Sequence, residues 1–305
     1  MRTIDLESLK IFRTVVDEGG VVRAAAKLNR VQSNVTTRIR QLEEHVGARL
    51  FRREGRNIRL SAEGHKLLGY AGRLLQLADE AVSEMRTGKP RGVFRLGSLE
   101  STAGSRLPPL LSRYHAMFPE VIVELATGTT GALIKRLANF EIEAAFVSEP
   151  FCVPQLQARA VFEEQLVLVT SRIVGELSGP ADLRSSTLIA FAQGCSYRKR
   201  VEEWLATEDI VPDRVLEFAS YQAMIACVAA GTGFAVVPRS VLSDLRSSKG
   251  IRQHDLPKQY ALSRTHLVWN GEVSPALNGL ISLFVDTREK PNLRRHGARF
   301  EKASI

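Results

Sequence analysis

The sequence predicts a molecule in three parts: an N-terminal winged helix-turn-helix, all-α with a β-wing, then a linker helix, then an α/β domain of two lobes. Three observations carry this. An Ala-rich segment is followed by a tight polar turn and by a helix with a polar first turn, and an arginine-loaded hairpin lies behind it. Leucine and alanine then recur on a seven-residue period between Leu68 and Met85. From Val93 onward, short apolar runs alternate with helical ones, the pattern of an α/β sheet.

Taken in order, Leu6, Leu9, Phe12 and Val16 make an amphipathic first helix that ends near Gly19-Gly20. Ala24, Ala25 and Ala26 have no bulk to hold a neighbour away, so a second helix can cross closely, as a helix-turn-helix requires. After the turn at Asn29-Arg30, Val35, Ile39 and Leu42 fall at i, i+4 and i+7 and form one inward stripe. Gln32, Ser33, Asn34, Thr36, Thr37, Arg38 and Arg40 are left for the other faces.

That polar face suits the major groove of double-stranded DNA, where Gln pairs bidentately with adenine and a hydroxyl serves as donor or acceptor. Gln32, Ser33, Thr36 and Thr37 are the candidate base readers. Arg38, Arg40, Arg53 and Arg56, with Arg49, Arg52 and Arg59, supply charge for phosphates and make affinity fall with salt. The plainer alternative is a solvated basic helix and an ordinary charged hairpin. The order of the elements favours DNA.

Ser61 caps a long helix running to about Arg86. Within it Leu68, Leu75 and Val82, with Ala71, Ala78 and Met85 three positions on from each, give an a/d pattern over about three heptads, which points to a seam between two chains. Packing on its own domain is the alternative. Thr87 to Gly92 breaks the helix as a hinge. Beyond it strands are expected at Val93–Leu99, Val121–Ala126, Ala144–Val147, Leu166–Thr170, Leu188–Phe191, Val215–Phe218, Phe234–Pro238 and His266–Trp269, in a largely parallel sheet. Helices are expected through Leu107–Tyr114, Leu133–Leu137, Tyr197–Ala206, Tyr221–Ala230 and Pro275–Val285. The divisions are thus 1–60 for the reading head, 61–87 for the linker and 88–92 for the hinge. The first lobe is 93–162 plus 264–287, the second 163–263, and 288–305 is a basic tail with six Lys or Arg against two acids.

Charge is unevenly spread. The chain carries +9, but residues 1–60 hold 13 Lys or Arg against 7 Asp or Glu, so a polyanion is expected to dock at one end. No apolar run reaches the length of a membrane span and the start has no signal-peptide core, so the expected location is the cytoplasm, with no membrane partner. Cys152, Cys195 and Cys227 are odd in number and widely spaced, with no metal-binding cluster. No metal site, no cofactor and no catalytic residue is expected. Nucleophile-elbow, P-loop and dinucleotide fingerprints are absent, and His115, His254 and His266 have no spaced partners. An enzyme with an accessory DNA-binding module and a solute-binding protein are the weaker alternatives.

Open α/β sheets bind ligands at strand C-termini, and helix N-termini welcome anionic groups. This selects Ser98, Glu100, Ser101 and Thr102 after the first strand, Thr127, Thr129 and Thr130 after the second, and Cys195, Ser196, Tyr197 and Arg198 in the second lobe. Plain helix capping is the alternative for each. Glu100 suits an ammonium group and Arg198 a carboxylate, so an amine, an amino acid and a small carboxylate all stay open. Arg198 also offers to lower the Cys195 thiol pKa, the condition for a redox switch.

The segments NRVQSNVTTRIRQLEEHVGARLF and LSAEGHKLL, with the α/β remainder, resemble the LysR-type transcriptional regulators over residues 5–287. The resemblance implies a periplasmic-binding-protein-like (type 2) effector domain, a linker that dimerises, a homotetramer on promoter DNA whose bending responds to an effector between the lobes, and RNA polymerase as a candidate further partner. It places groove contacts on Gln32, Ser33, Thr36 and Thr37, with Arg53 and Arg56 on the wing. Val31-Gln32-Ser33 stands where the family commonly has Ser-Gln-Pro, and Thr37 where it commonly has Arg. GSLESTAGSRLP, GCSYRKRVEEWL and SYQAMIACVAAGTGFAVVPRSVL resemble the subgroup that includes regulators of putrescine utilisation.

Overall fold

The computed structural model describes residues 4–54, 57–86, 90–244 and 250–285. The N-terminal unit is three helices, α1 (Leu6–Asp17), α2 (Val21–Lys27) and α3 (Gln32–Val46), followed by the hairpin β1 (Phe51–Glu54) and β2 (Asn57–Leu60). Asp5 opens α1 by accepting the Ser8 amide at 2.7 Å. The expected stripe of α3 is inside: Val35, Ile39 and Leu42 pack with Ala24 and Ala25 of α2 and with Leu9 and Phe12 of α1. In α1 the inward set differs from the expected one. Ile11 and Val15 are buried and Leu6 is exposed, because α1 is covered from two sides, by α3 and by the helix that follows the wing.

One buried carboxylate ties α3 to the wing. Glu43 accepts the Leu50 amide at 2.8 Å and the Phe51 amide at 3.4 Å, and meets Arg49 at 2.9 Å. A charge so enclosed persists because charged donors and backbone amides replace its water. The helix α4 (Ala62–Arg86) then leaves the wing, with Ser61 Oγ accepting the Gly64 amide at 2.8 Å. Gly64 is required there: a Cβ would stand 2.2 Å from the Leu50 carbonyl oxygen.

The heptad expected at the seam between chains is divided. Leu68 and Ala71 are buried and, with Leu75, pack into the core of their own winged unit. Of the expected seam, Val82 and Met85 are left outward, together with Tyr70, Leu74, Leu77 and Ala81. The first half of the predicted seam is therefore intramolecular. The hinge residues 87–89 and the tail 288–305 lie outside the described residues.

The remainder is built on β3 (Gly92–Ser98), α5 (Glu100–Ser105), α6 (Leu107–Met117), β4 (Val121–Thr127), α7 (Thr130–Ala138), β5 (Ala144–Ser148) and the sixteen-residue β6 (Leu156–Ser171). Then come β7 (Leu188–Ala190), α8 (Ser196–Ala206), β8 (Val215–Glu217), α9 (Tyr221–Ala229), β9 (Ala235–Pro238) and α10 (Arg239–Asp244). The chain closes with β10 (Ile251–Asp255), α11 (Lys258–Ala261), β11 (Leu262–Asn270) and α12 (Pro275–Val285). The large sheet runs β10-β6-β11-β5-β3-β4, with β9 also on β6.

That sheet is mixed, which corrects the largely parallel expectation. β3 is parallel to β4 and β5, whereas β11 runs antiparallel to β5 and β6, and β6 antiparallel to β9 and β10. β6 is shared: residues 156–165 pair with β11, and 166–171 with β9 and β10. Helices cover both faces, which is why β5 is buried along its whole length. α6 and α12 cover Phe94 and Phe146 on one side, and α7 covers Ala145 and Val147 on the other. Each fully enclosed aromatic or leucine of this kind contributes about 1.5–3 kcal/mol. In the second lobe α8 and α9 cover β9 and the end of β6.

Candidate functional site

The face expected to read DNA is the first half of α3. Gln32, Ser33, Asn34, Thr37 and Arg40 are exposed, and Thr36 and Arg38 half-buried. Asn29 takes φ 52° to make the sharp turn, a conformation Asn tolerates better than most residues. Two candidates are engaged within the chain. Thr36 Oγ donates to the Gln32 carbonyl at 2.9 Å, leaving it as an acceptor, and Asn34 Oδ1 accepts from Arg30, which is itself paired with Glu7. In the backbone register of the hairpin Arg52 pairs with Arg59 and Arg53 with Ile58. Arg56 lies outside the described residues.

The second site is a narrow cleft lined by Leu99, Glu100, Ser101, Gly128, Thr129 and Ser148 on one side. Phe191, Cys195, Ser196, Tyr197 and Tyr221 line the other. Four helices start at it: α5 at Glu100, α7 with Thr129 as its cap, α8 after Cys195 and α9 at Tyr221. The lobes touch across it. Ser196 Oγ lies 2.7 Å from Ser148 O and 2.9 Å from Thr130 Oγ, its single proton shared between the two, and the Gly131 amide donates to Gly194 O at 3.1 Å. Thr129 caps α7 by accepting the Ala132 amide at 3.3 Å.

Of the residues expected here, Glu100, Ser101, Thr129, Cys195, Ser196 and Tyr197 line the cleft. Thr130 sits immediately behind it, its hydroxyl 3.2 Å from the Ser148 carbonyl. Ser98 is fully buried and its hydroxyl donates to Leu99 O, so it supports the strand end. Thr127 is exposed and outside the lining, and Thr102 is buried beneath it. The hydroxyls of Ser101, Thr102 and Tyr197 are enclosed without a hydrogen-bond partner among the described residues. Phe191, Ser148 and Tyr221 were missed, although the rule that chose Thr129 also picks Ser148, at the end of β5, and Tyr221, at the start of α9.

Arg198 is a correction. It is nine-tenths buried and is not part of the cleft lining, donating through Nε to Glu202 at 2.8 Å and through Nη1 to Glu217 at 2.6 Å and Phe191 O at 3.2 Å. Two carboxylates hold it because a buried guanidinium without them is too costly. Cys195 is a second one. Burial raises its thiol pKa and outweighs the lowering by neighbouring amides and Arg198, so the thiolate a redox switch needs is disfavoured. Burial also pushes the Tyr197 phenol up to about 12.

Glu100 is the remaining charged residue of the lining, with its carboxyl raised above the usual range by burial and pulled back by the Tyr221 amide. Phe191 and Tyr221 belong to the same lining, their ring centroids 4.8 Å apart.

Two family profiles match this chain. Residues 6–65 match the bacterial regulatory helix-turn-helix of the lysR family, and 87–288 match the LysR substrate binding domain. The chain belongs to the LysR family. Among relatives of this LysR regulator, the HTH-type transcriptional regulator GltR of Bacillus subtilis is 34% identical over 92% of this chain and 95% of its own. SoxR of an Arthrobacter strain, also an HTH-type transcriptional regulator, is 32% identical over 93% and 96%. In fold, this LysR chain resembles a full-length OxyR from Pseudomonas aeruginosa (TM-score 0.71, 19% identity, 94% and 95% covered). It also resembles CbnR in complex with its target DNA (TM-score 0.62, 24% identity, 93% and 100% covered). It is thus a transcriptional regulator with an effector-binding domain, and not an enzyme. No helix among its described residues is long and apolar enough to cross a membrane.

Proposed function

We propose that this regulator reads promoter DNA through Gln32, Ser33, Thr36 and Thr37, and that its hold on DNA responds to a small molecule carrying an ammonium group in the cleft. Glu100 carries this reading. It is a half-buried carboxylate without Lys or Arg in the lining, which also holds the aromatic rings of Phe191 and Tyr221, and an ammonium ion is stabilised by both kinds of group. The carboxylate alternative has lost its cation, since Arg198 is spent on Glu202 and Glu217. The helix N-termini at the cleft still accept a carboxylate, so an amino acid fits as well as a simple amine. The likeness to the putrescine-utilisation subgroup agrees with this chemistry.

The stripe Tyr70, Leu74, Leu77, Ala81 and Met85 supports dimerisation through α4, with a tetramer as the form on DNA and RNA polymerase as a further partner. Lobe division near 162 and 264, the basic tail and a cytoplasmic location complete the proposal. Titration calorimetry on the full chain with putrescine, glutamate and succinate tests the effector class. Putrescine or glutamate is expected to bind, and Glu100→Gln to weaken that binding about tenfold, or about 1.4 kcal/mol. Heat from succinate alone sinks the amine reading.

A further inference from the structure

The two ends of α7 meet different parts of the molecule. At its start, Thr130 and Gly131 are bonded to the second lobe: Ser196 Oγ donates to Thr130 Oγ at 2.9 Å, and the Gly131 amide to Gly194 O at 3.1 Å. At its other end, about 13 Å away at 1.5 Å per residue, the chain turns through Asn139, Phe140 and Glu141 and enters the winged unit.

That turn is gripped by two helices of the DNA-binding half. Arg13 of α1, which is buried, donates from Nη2 to the carbonyls of Phe140 at 3.3 Å and Glu141 at 3.1 Å. α4 offers Gly72, where a Cβ would stand 2.7 Å from Phe140 Cβ and 2.8 Å from its carbonyl oxygen. Arg73 lies over the Phe140 ring, 5.6 Å from its centroid. Phe140 itself has φ 54°, a left-handed conformation that a bulky aromatic avoids unless its surroundings impose it. The turn is braced from within: Glu141 accepts from Arg136 at 3.2 Å and from Asn139 at 3.1 Å.

We propose that α7 is the mechanical link between the cleft and the DNA-binding half. Its start senses how the second lobe sits, and the Phe140 turn passes that position to α1 and α4. A packed helix held at both ends transmits displacement because it bends little, and the Phe140 turn has a specific seat to keep or leave. The residues that read DNA are on α3, which packs directly on α1. The coupling goes beyond the choice of effector and holds whichever molecule fills the cleft.

Amide hydrogen exchange on the full chain tests it without an effector. Ser196→Ala removes a bond on the lobe opposite α7. It is expected to speed exchange in residues 6–17 and 62–75 by about threefold or more, because opening at one end of the link loosens the other. In a Phe140→Gly background, where the left-handed turn costs nothing but the ring is gone, Ser196→Ala is expected to add nothing in those segments. Thr130→Val gives the same test from the other side of the bond, should Ser196→Ala lose its near-ultraviolet dichroism. Unchanged exchange in both segments, with the cleft segments exchanging faster, overturns the link. So does an equal acceleration with and without Phe140.

Discussion

The first turn of α3 and the rim of the cleft are built from the same residue types and use them in opposite ways. Ser33 and Thr37 are exposed, with hydroxyls free to meet a partner outside the chain. Thr130, Ser148 and Ser196 are buried, and their polar atoms are spent on one another across two lobes. A hydroxyl in water is available to read a base, because the bond it would make replaces one to solvent, at modest gain and with high selectivity. Enclosed, the same group is a clasp, since breaking its bond leaves a dry polar atom behind. The difference lies in burial, not in composition.

The strongest test of this contrast leaves both hydroxyl sets alone and attacks what holds one of them in place. Gly64→Val puts side-chain atoms into the Leu50 carbonyl, which is 2.2 Å from the first of them. The winged unit is expected to lose about 3 kcal/mol or more in denaturant unfolding. Operator binding should go with it, while the cleft keeps its ligand. A variant with wild-type stability would mean that α4 sits differently on the wing.

The next test sets clasp against reader. Thr130→Val deletes a hydroxyl that accepts from Ser196 and bonds Ser148, and the loss of such buried bonds costs about 1–3 kcal/mol of stability. Ser33→Ala, on the surface, should stay within about 0.5 kcal/mol in unfolding. Its effect belongs in the mobility shift, as a loss of discrimination among operator sequences of about 1–3 kcal/mol. Equal stability losses in the two variants would erase the distinction.

The same contrast explains what could be read from the sequence. Val35, Ile39 and Leu42 were legible because a helix repeats its inward face every turn, whatever it packs on. Leu6 and the Leu68/Ala71 end of the heptad misled, since periodicity gives a face but not which of two neighbours will cover it. The first half of β6 went unread because Ala160-Val161-Phe162 followed by Glu163-Glu164-Gln165 breaks the alternation of a strand, and its partner β11 begins only at Leu262. Arg198 was misassigned for a related reason. Its position at a helix start was local knowledge, whereas Glu217, nineteen residues on, decides where its guanidinium goes.

Glu100 gives a smaller effect with a definite pH signature. Burial raises its carboxyl pKa in the folded chain, so the fold favours the neutral acid and pays to keep the carboxylate. The cost is absent at pH below the unfolded pKa and is present in full above the folded one. Glu100→Gln is therefore expected to raise the melting temperature of the ligand-free protein above that window and to leave it unchanged below. Ammonium binding has the opposite dependence. It needs the ionised form, so putrescine affinity should fall as pH is lowered through the raised pKa. A melting temperature that falls at neutral pH in the Gln variant would show the carboxylate to be held by the Tyr221 amide more strongly than burial opposes it.

The smallest expected effect is on the reading head and shows only against salt. Arg40 is exposed on α3, on the polar face beside Thr37. Replaced by Ala it should change the folded chain by less than about 0.5 kcal/mol. If it meets a phosphate, the variant binds all DNA sequences more weakly by a similar factor, and the slope of log affinity against log salt falls by about one. If instead it reaches a base edge, the salt slope falls little more than for Ser33→Ala and the loss concentrates on one operator position. Measuring both variants at several salt concentrations on the operator and on unrelated duplex therefore sorts the face of α3 into positioning and reading groups. The Ser33 hydroxyl and the Arg40 guanidinium, about two turns of helix apart, are predicted to fall on different sides.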